Sequence, residues 1–509
     1  MLAILFGQII GLLRGIVVAN AFGASSELDA FFAANRVSET LFLLVAGGAL
    51  GSAFIPTFTG LLATSKREAA WRLASGIGSS LTVFLTILSL IAAWLAPQIV
   101  RYALAPGLSR DPELFELTIS LLRIQLISVV LFGVGGLIVG ILNAQQVFLI
   151  PALTPAMYQL GIIFGAVVLA PHLGVHGLAW GVVIGAALYL LLQIPVLIRK
   201  AGKYEVTLGL GDPTVRRVIS LMGPRLLGVA VVQLNFWVNT WLASQMSPGS
   251  VTAIYYAFSL MLMAQTVVAQ SVAIAAMPTF SAQFALGKID EMRASLAASL
   301  RGVILMGVPA TLGLILLRSP LISLLYERGE FDERAVTMVS WALLWYAVGL
   351  LGHSIMEVLT RAFYARQDTR TPVLIGSAAM LLNVLLSVLL SALFQGRGLL
   401  PHGGLALANS IATALEAAGL FVVLRKRLDG VHGREVGGAL GAAAIAGTVM
   451  GIALRLYLSA PKDSGAWTIV LGGVGIGVVL YLAVLWILRI PEARIVAAWL
   501  AGRFSRRAA

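Results

Sequence analysis

The residues able to do chemistry in this chain are few, and most of them interrupt long apolar runs. Arg14 lies in the first run, and Asp29, Asn35, Arg36 and Glu39 lie close together in the second. Arg36 and Glu39 are three apart, a spacing that puts them on one helical face and lets them pair. Arg14, Arg36 and nearby amides such as Asn35 could together receive an anionic head group such as a pyrophosphate. A guanidinium fork matches phosphate oxygens with two parallel hydrogen bonds. The plainer outcome is a mutually neutralising Arg–Asp/Glu cluster. Ser26-x-x-Asp29 is also a capping-box pattern, and an acid suits a helix N-terminus, so Asp29 has a structural reading beside the anion site.

Glu357 and Arg361 stand at an i,i+4 spacing with His353 one turn earlier. They are either a coupling or gating pair or an intrahelical salt bridge. Gln233, Asn235, Asn239, Gln265 and Gln270 offer uncharged hydrogen-bonding groups, for a cavity wall or for bonds between helices. Arg123, Arg225 and Arg455 are single charges expected to snorkel to a membrane interface. Several chemistries are missing. There is no cysteine, and the five histidines show no H-E-x-x-H or comparable metal spacing. No GxxxxGK[ST] phosphate loop occurs, which argues against an ATP-driven pump, and no nucleophile–base constellation stands out. No cofactor is expected.

These residues must be positioned by membrane helices. The chain has 509 residues, of which 59% are hydrophobic and 11% charged, with a mean hydropathy of +0.95. A soluble protein is about 25% charged and roughly 45–50% apolar. The net charge of +13 comes from 35 basic and 22 acidic residues. In a soluble protein it would suggest nucleic acid; here the basic residues fall between apolar runs and read as topology signals. No nucleic-acid partner is expected. A spanning helix needs about 20 mostly apolar residues. Fourteen runs qualify, near 1–22, 29–62, 74–97, 114–142, 150–170, 177–198, 218–242, 250–284, 295–317, 335–364, 371–394, 403–424, 435–458 and 466–488. The first reads as a retained helix, because no charged n-region or A-x-A site precedes a mature domain.

Fourteen helices place both termini on one side. The connections on that side, with the tail, carry 23 Lys and Arg, and the opposite connections carry seven. By the positive-inside rule the expected orientation is a multi-pass protein with both termini cytoplasmic.

The chain also repeats itself. Phe54-Ile55-Pro56-Thr57-Phe58 recurs as Ala276-Met277-Pro278-Thr279-Phe280, a shift of 222. Ala144-Gln145-Gln146 with Pro151 matches Ala365-Arg366-Gln367 with Pro372, a shift of 221. Gly177-Leu178-Ala179 matches Gly404-Leu405-Ala406, and Arg199-Lys200 matches Arg425-Lys426. Each unit spans an even six helices, so the two copies share one orientation. Parallel repeats imply a pseudo-two-fold axis along the membrane normal and a substrate cavity between lobes. The expected domains are a six-helix lobe at 1–210, its repeat at 211–430, and two additional helices with a basic tail at 431–509. Those last helices carry Gly437-x-x-x-Gly441, Gly447-x-x-x-Gly451 and Gly473-x-x-x-Gly477, a spacing that lets helices pack closely or leaves a shallow groove for a lipid tail.

Several stretches carry a resemblance. Gly11-Leu12-Leu13-Arg14, Ala21-Phe22-Gly23-Ala24, Leu28-Asp29-Ala30-Phe31-Phe32, and Gly48-Ala49-Leu50 followed by Ala53-Phe54-Ile55-Pro56 look like the opening of MurJ/MviN-type lipid II flippases. Arg361-Ala362-Phe363-Tyr364-Ala365-Arg366-Gln367-Asp368-Thr369-Arg370-Thr371-Pro372 is the most specific match, close to the family's loop before helix 11. The resemblance covers nearly the whole chain. It implies the multidrug/oligosaccharidyl-lipid/polysaccharide exporter fold, with two six-helix lobes about a cationic cavity and two C-terminal helices whose groove takes the polyprenyl tail. Arg14 and Arg36 stand where the family has a cavity arginine and often a lysine. Other positions depart. The acid after the first arginine is Gly15, the arginine pair later in helix 2 falls on Phe42 and Leu43, and the following Glu-Gly is Gly47-Gly48. After Tyr255-Tyr256-Ala257 the family's arginine is Ser259.

The expected fold is therefore an all-α polytopic membrane protein of about 14 helices. The expected function is non-enzymatic: carrying an undecaprenyl-pyrophosphate-linked precursor across the cytoplasmic membrane by alternating access, reset by membrane potential or an ion gradient. The alternatives are export of another lipid-linked glycan or of drugs or cations, a lipid-modifying transferase, and a scaffold without transport. The expected partners are the lipid-linked glycan, membrane lipids and proteins of cell-wall synthesis.

Overall fold

The computed structural model describes residues 2–44, 54–200, 202, 204–460 and 465–492, with the backbone alone for residues 2–5, 223–228, 231 and 232. Gly47-Gly48, Ala49-Leu50, Lys203, Lys462, the basic tail beyond 492 and the Arg225 side chain lie outside what is described. Among the described residues, helix matches each apolar run read from the sequence. In order they are α1 (Leu2–Phe22), α2 (Ser26–Phe42), α3 (Ile55–Ala63) and α4 (Arg67–Trp94), then α5 (Pro112–Ala144), α6 (Leu149–Leu173), α7 (His176–Lys200) and α8 (Pro213–Ser244). There follow α9 (Ser250–Ala285), α10 (Ile289–Leu316), α11 (Arg318–Tyr326) and α12 (Glu333–Ala365), then α13 (Arg370–Gly396), α14 (His402–Arg427), α15 (Gly433–Ser459) and α16 (Ala466–Ile487). Among the described residues 11 helices are long and apolar enough to cross a membrane. The run at 29–62 emerges as α2 and α3, with 45–53 between them undescribed. The short α11 was not separated from its flanks by composition.

Local chemistry explains where helices begin. Asp111 accepts from Glu113 N at 2.9 Å and Leu114 N at 3.3 Å ahead of Pro112. Asp212 accepts from Thr214 N at 2.7 Å ahead of Pro213. An Asx cap followed by proline at the first helical position satisfies orphan amides and removes one that has no partner. Asp368, one residue ahead of the cap of α13, satisfies two of its orphan amides, accepting from Arg370 N and Thr371 N, both at 3.1 Å. Its other oxygen takes the Thr371 hydroxyl at 2.7 Å and the Arg427 guanidinium. Slight burial would raise this carboxyl, but the Thr371 and Arg427 hydrogen bonds hold it down at about 2.

The duplication is written into the backbone. α4 and α10 each have 28 residues, and α5 and α12 each have 33. Lys66 N reaches Leu61 O at 3.0 Å, and 222 residues on Lys288 N reaches Gln283 O at 2.9 Å. Gln146 and Gln367, the paired turn residues, are both left-handed, at φ 62° and 61°. A non-glycine residue rarely adopts that conformation, so its recurrence at one repeat position marks an inherited turn.

Two compact units divide the described chain: residues 1–252 with 328–335, and 253–327 with 336–509. In the first, α2 packs on α5, α1 on α6, and α6 on α7. Glycines carry the α6–α7 crossing; a Cβ on Gly161 would fall 2.2 Å from Gly185 N. Small residues let backbones approach where lipid gives no hydrophobic drive to associate. In the second unit, α13 packs on α14, and α15 lies against α10 with α16 beside it. Ile304 and Leu305 of α10 are buried with Ala443, Ala446, Tyr481 and Leu485. Arg301 binds Glu435 of α15 and, through Nε at 2.8 Å, Glu492. Of the three small-residue motifs, Gly447 faces Leu312 and Val308, and Gly473 faces Leu317. Gly477 meets Met450, whereas Gly437 and Gly441 face open space.

Candidate functional site

α1 and α2 are joined by a tight turn in which Gly23 adopts φ 59° and lies against Glu330 O. Arg14 precedes the end of α1 by eight residues and Arg36 follows the start of α2 by ten. At 1.5 Å per residue each arginine lies roughly 12–15 Å along its own helix from that turn. Arg14 and Asn35 are half-buried. Arg36 Nη1 donates to Glu39 Oε2 at 2.9 Å, and its guanidinium carbon lies 5.0 Å from the Phe236 ring centroid of α8. Its Nε is buried without a hydrogen-bond partner among the described residues. The neutralising pair and an uncommitted donor thus coexist in one side chain.

The α8 amides bond locally and toward α2. Asn239 Nδ2 donates to Asn235 Oδ1 at 3.2 Å, and Gln233 Oε1 lies 3.4 Å from Thr40 Oγ1. Trp237 Nε1 donates to that same hydroxyl at 2.8 Å. Gln265 is buried and directly precedes one wide π-helical turn, Thr266–Gln270, in α9. Such turns free a backbone group and recur at functional sites.

Asp29 has a different setting from a cap on its own helix. The N-cap of α2 is Ser25, whose hydroxyl accepts from Leu28 N at 3.2 Å. Asp29, only 3% exposed, accepts instead from Gly249 N, Thr252 N and the Thr252 hydroxyl, each at 2.7 Å. The acid satisfies orphan amides at the start of α9, 220 residues away. Arg334 donates to Pro248 O at 2.8 Å and Glu330 N to Asn20 O at 3.0 Å, so this end of the first unit is sewn together by polar contacts.

Phe42 fills its place with apolar contacts. Its ring lies 5.0 Å from Phe132, which in turn meets Tyr158 at 5.0 Å and Tyr189 at 5.4 Å. In the second unit Tyr256 is buried against Tyr326, and Ser259 is half-buried. Arg361 Nη2 donates to Glu357 Oε1 at 2.7 Å within α12, while His353 Nε2 contacts Asn409 Oδ1 at 3.0 Å. Glu357 and Arg361 thus form a salt bridge along one helix. Arg123 Nε donates to Ala93 O at 3.1 Å, and Arg455 is exposed, as snorkelling side chains are. Among the described residues no group of three His, Asp or Glu could hold a metal. No local spacing announces the Arg301 cluster, whose carboxylates Glu435 and Glu492 come from distant parts of the chain, nor Glu416, whose Oε1 lies 3.0 Å from where a Cβ on Gly376 would be.

The family model described as lipid II flippase MurJ matches residues 18–471. The lipid II flippase MurJ of Burkholderia cenocepacia is 33% identical over 435 residues, covering 83% of this chain and 82% of that protein. The chain belongs to the MurJ family. A probable lipid II flippase MurJ of Vibrio cholerae is 33% identical over 501 residues, covering 95% and 94%. Among solved structures, a lipid II flippase MurJ in an inward closed conformation matches with a TM-score of 0.82 at 25% identity, over 96% of this chain and 98% of that one. An inward-facing multidrug transporter of the MATE family matches at 15% identity with a TM-score of 0.69, over 83% and 94%, which shows shared fold alone. This chain has arginines at 14 and 36 and an aromatic cluster around Phe42.

Proposed function

We propose that the chain is a lipid II flippase, carrying the undecaprenyl-pyrophosphate-linked peptidoglycan precursor from the cytoplasmic to the outer leaflet by alternating access. Membership of the MurJ family supports the class. The reading of the site rests on Arg14 and Arg36 standing at similar distances along α1 and α2 from the turn that joins them, with Arg36 Nε uncommitted. In this reading the two guanidiniums bind pyrophosphate oxygens, Asn35 adds a neutral donor, and Glu39 holds Arg36 in place. Asp29 keeps the outer end of the first unit closed. Glu357 and Arg361 act as a gating or coupling pair. The protein is a transporter of the cytoplasmic membrane with both termini inside, makes no covalent change in its cargo, and is driven by membrane potential or an ion gradient. A cavity of about 590 Å³ between α10, α12 and α15, with Thr311, Gly447 and Arg455 in its wall, takes the polyprenyl tail.

A charge-assisted hydrogen bond is worth about 1.5–3 kcal/mol. Losing one should weaken pyrophosphate-lipid binding roughly 10- to 150-fold. The test is complementation of a strain depleted of its lipid II flippase, with wild type supporting growth. Arg14→Ala and Arg36→Ala should fail at normal expression, and lysine should rescue only in part because it lacks the bidentate fork. Normal transport by both alanine variants would make the cluster structural. Failure of the wild type would point to another lipid-linked glycan, a cargo that the apolar Phe42 and Leu43 positions would suit.

A further inference from the structure

The 222- and 221-residue shifts relate two cavities. The cleft between α4 and α5, of about 340 Å³, is lined by Thr86, Ser89, Leu90, Arg123, Ile127 and Val130 among others. Shifting Thr86, Ser89 and Leu90 by 222 gives Val308, Thr311 and Leu312, and shifting Ile127 and Val130 by 221 gives Val348 and Leu351. All five line the cavity of the second unit. The two differ in their roof. In the second unit α15 closes the cavity; in the first no described helix does. Leu90 is accordingly 65% exposed, whereas Leu312 is half-buried.

Three features of the open cleft point to one kind of occupant. Arg123 reaches Ala93 O through Nε alone, and no carboxylate pairs with it among the described residues. Its Nη groups remain available. Capping does not explain why the charge is here, because the repeat caps the equivalent Ile315 O with Arg318 at 2.6 Å, and the residue 221 beyond Arg123 is Leu344. Second, Ser89 Oγ is buried without a hydrogen-bond partner, and so is its repeat counterpart Thr311 Oγ1. Third, Trp94 and Tyr102, 77% and 71% exposed, stand at this end of α4, where aromatic side chains mark the boundary between head groups and acyl chains. Ser89 lies one turn deeper than Ala93, roughly 6 Å along the helix. That order suits a glycerophospholipid: phosphate above, ester carbonyl one glycerol unit below, chain beyond.

We propose that this cleft is a binding site for a resident anionic glycerophospholipid. Its phosphate binds Arg123, an ester carbonyl accepts from the Ser89 hydroxyl, and an acyl chain lies between Leu90 and Ile127. The leaflet, the outer one, follows from the orientation proposed above; the site itself does not depend on the transported cargo. A second protein's apolar helix is a poorer occupant, since it would bury an uncompensated guanidinium.

The chain has no cysteine, so Leu90→Cys can carry a single fluorophore. Full-length labelled protein is reconstituted with doxyl-chain phosphatidylglycerol or doxyl-chain phosphatidylcholine, and quenching gives their relative affinities. Phosphatidylglycerol should be preferred about five-fold, the equivalent of ~1 kcal/mol for one basic residue at an anionic surface. Arg123→Gln should abolish the preference with an unchanged melting temperature, and Ser89→Ala should lower quenching by both lipids. A preference in Arg123→Gln as large as in the wild type would show that Arg123 only caps α4 and would overturn the proposal. So would displacement of phosphatidylglycerol by a lower concentration of undecaprenyl pyrophosphate, which would make the cleft a cargo site. Protection of the cysteine in native membranes but not after purification would assign the cleft to a protein helix instead.

Discussion

Replacing Asp29 should destabilise the protein without touching its affinity for a pyrophosphate lipid. The carboxylate is buried and takes three donors at 2.7 Å, two on one oxygen from Thr252 and one on the other from Gly249 N. In Asp29→Asn the amide oxygen can stay toward Thr252, and the new NH₂ group then faces the Gly249 N–H, donor against donor. One buried donor left unsatisfied costs about 1–3 kcal/mol. Asp29→Ala strands both backbone amides, since the Thr252 hydroxyl can rotate elsewhere, and should cost about 2–6 kcal/mol. Thr252→Ala removes a single hydroxyl bond to a charge, about 1.5–3 kcal/mol. Because the groups share one network, the Asp29→Ala/Thr252→Ala double variant should lose less than the sum of the single losses. Thermal unfolding of purified protein in detergent ranks the four variants, and titration with undecaprenyl pyrophosphate on the folded fraction measures affinity. The expected result is Ala below Asn below wild type in stability, with affinity held within a factor of two or so. An Asp29→Ala variant as stable as wild type, or one equally stable with weakened lipid binding, would refute the clamp and return Asp29 to the anion site.

Other outcomes follow from the same geometry. Truncation after residue 430 should yield aggregating protein rather than a soluble twelve-helix core, because it bares Ile304 and Leu305 and strips Arg301 of Glu435 and Glu492; size-exclusion chromatography reads this directly. Ser259→Arg, at a half-buried position, should raise affinity for undecaprenyl pyrophosphate by about 10-fold, the low end of one added charge-assisted hydrogen bond, measured by titration. Single cysteines at 66, 288 and 427 should be labelled only from inside and those at 106, 246 and 330 only from outside. A pair of neighbouring connections found on the same side would refute the orientation.

How much was legible in the residues alone differs sharply between elements and contacts. A run such as 371–394 shows itself because a membrane helix must satisfy its own backbone hydrogen bonds and hide them in some 20 apolar side chains. The helix observed, Arg370–Gly396, differs by a residue or two at each end. The duplication was equally visible, since short strings such as Ala144-Gln145-Gln146 recur at constant shifts, and their left-handed turns recur with them. Both are local properties: composition over one helix, or identity over a few residues. What each polar group binds is not local. Ser26 and Asp29 spelled a cap on α2, yet Ser25 caps that helix and Asp29 serves amides 220 residues away. The Arg36–Glu39 pair could be read from an i,i+3 spacing, but Phe236 beneath the guanidinium could not. Likewise the small residues of the last two helices announced close packing without saying against what; Leu312, Leu317 and Met450 answer only once the helices are placed. In lipid the hydrophobic effect selects which residues are helical and leaves the choice of neighbour to shape, hydrogen bonds and charge, which distant residues supply only when the chain has folded.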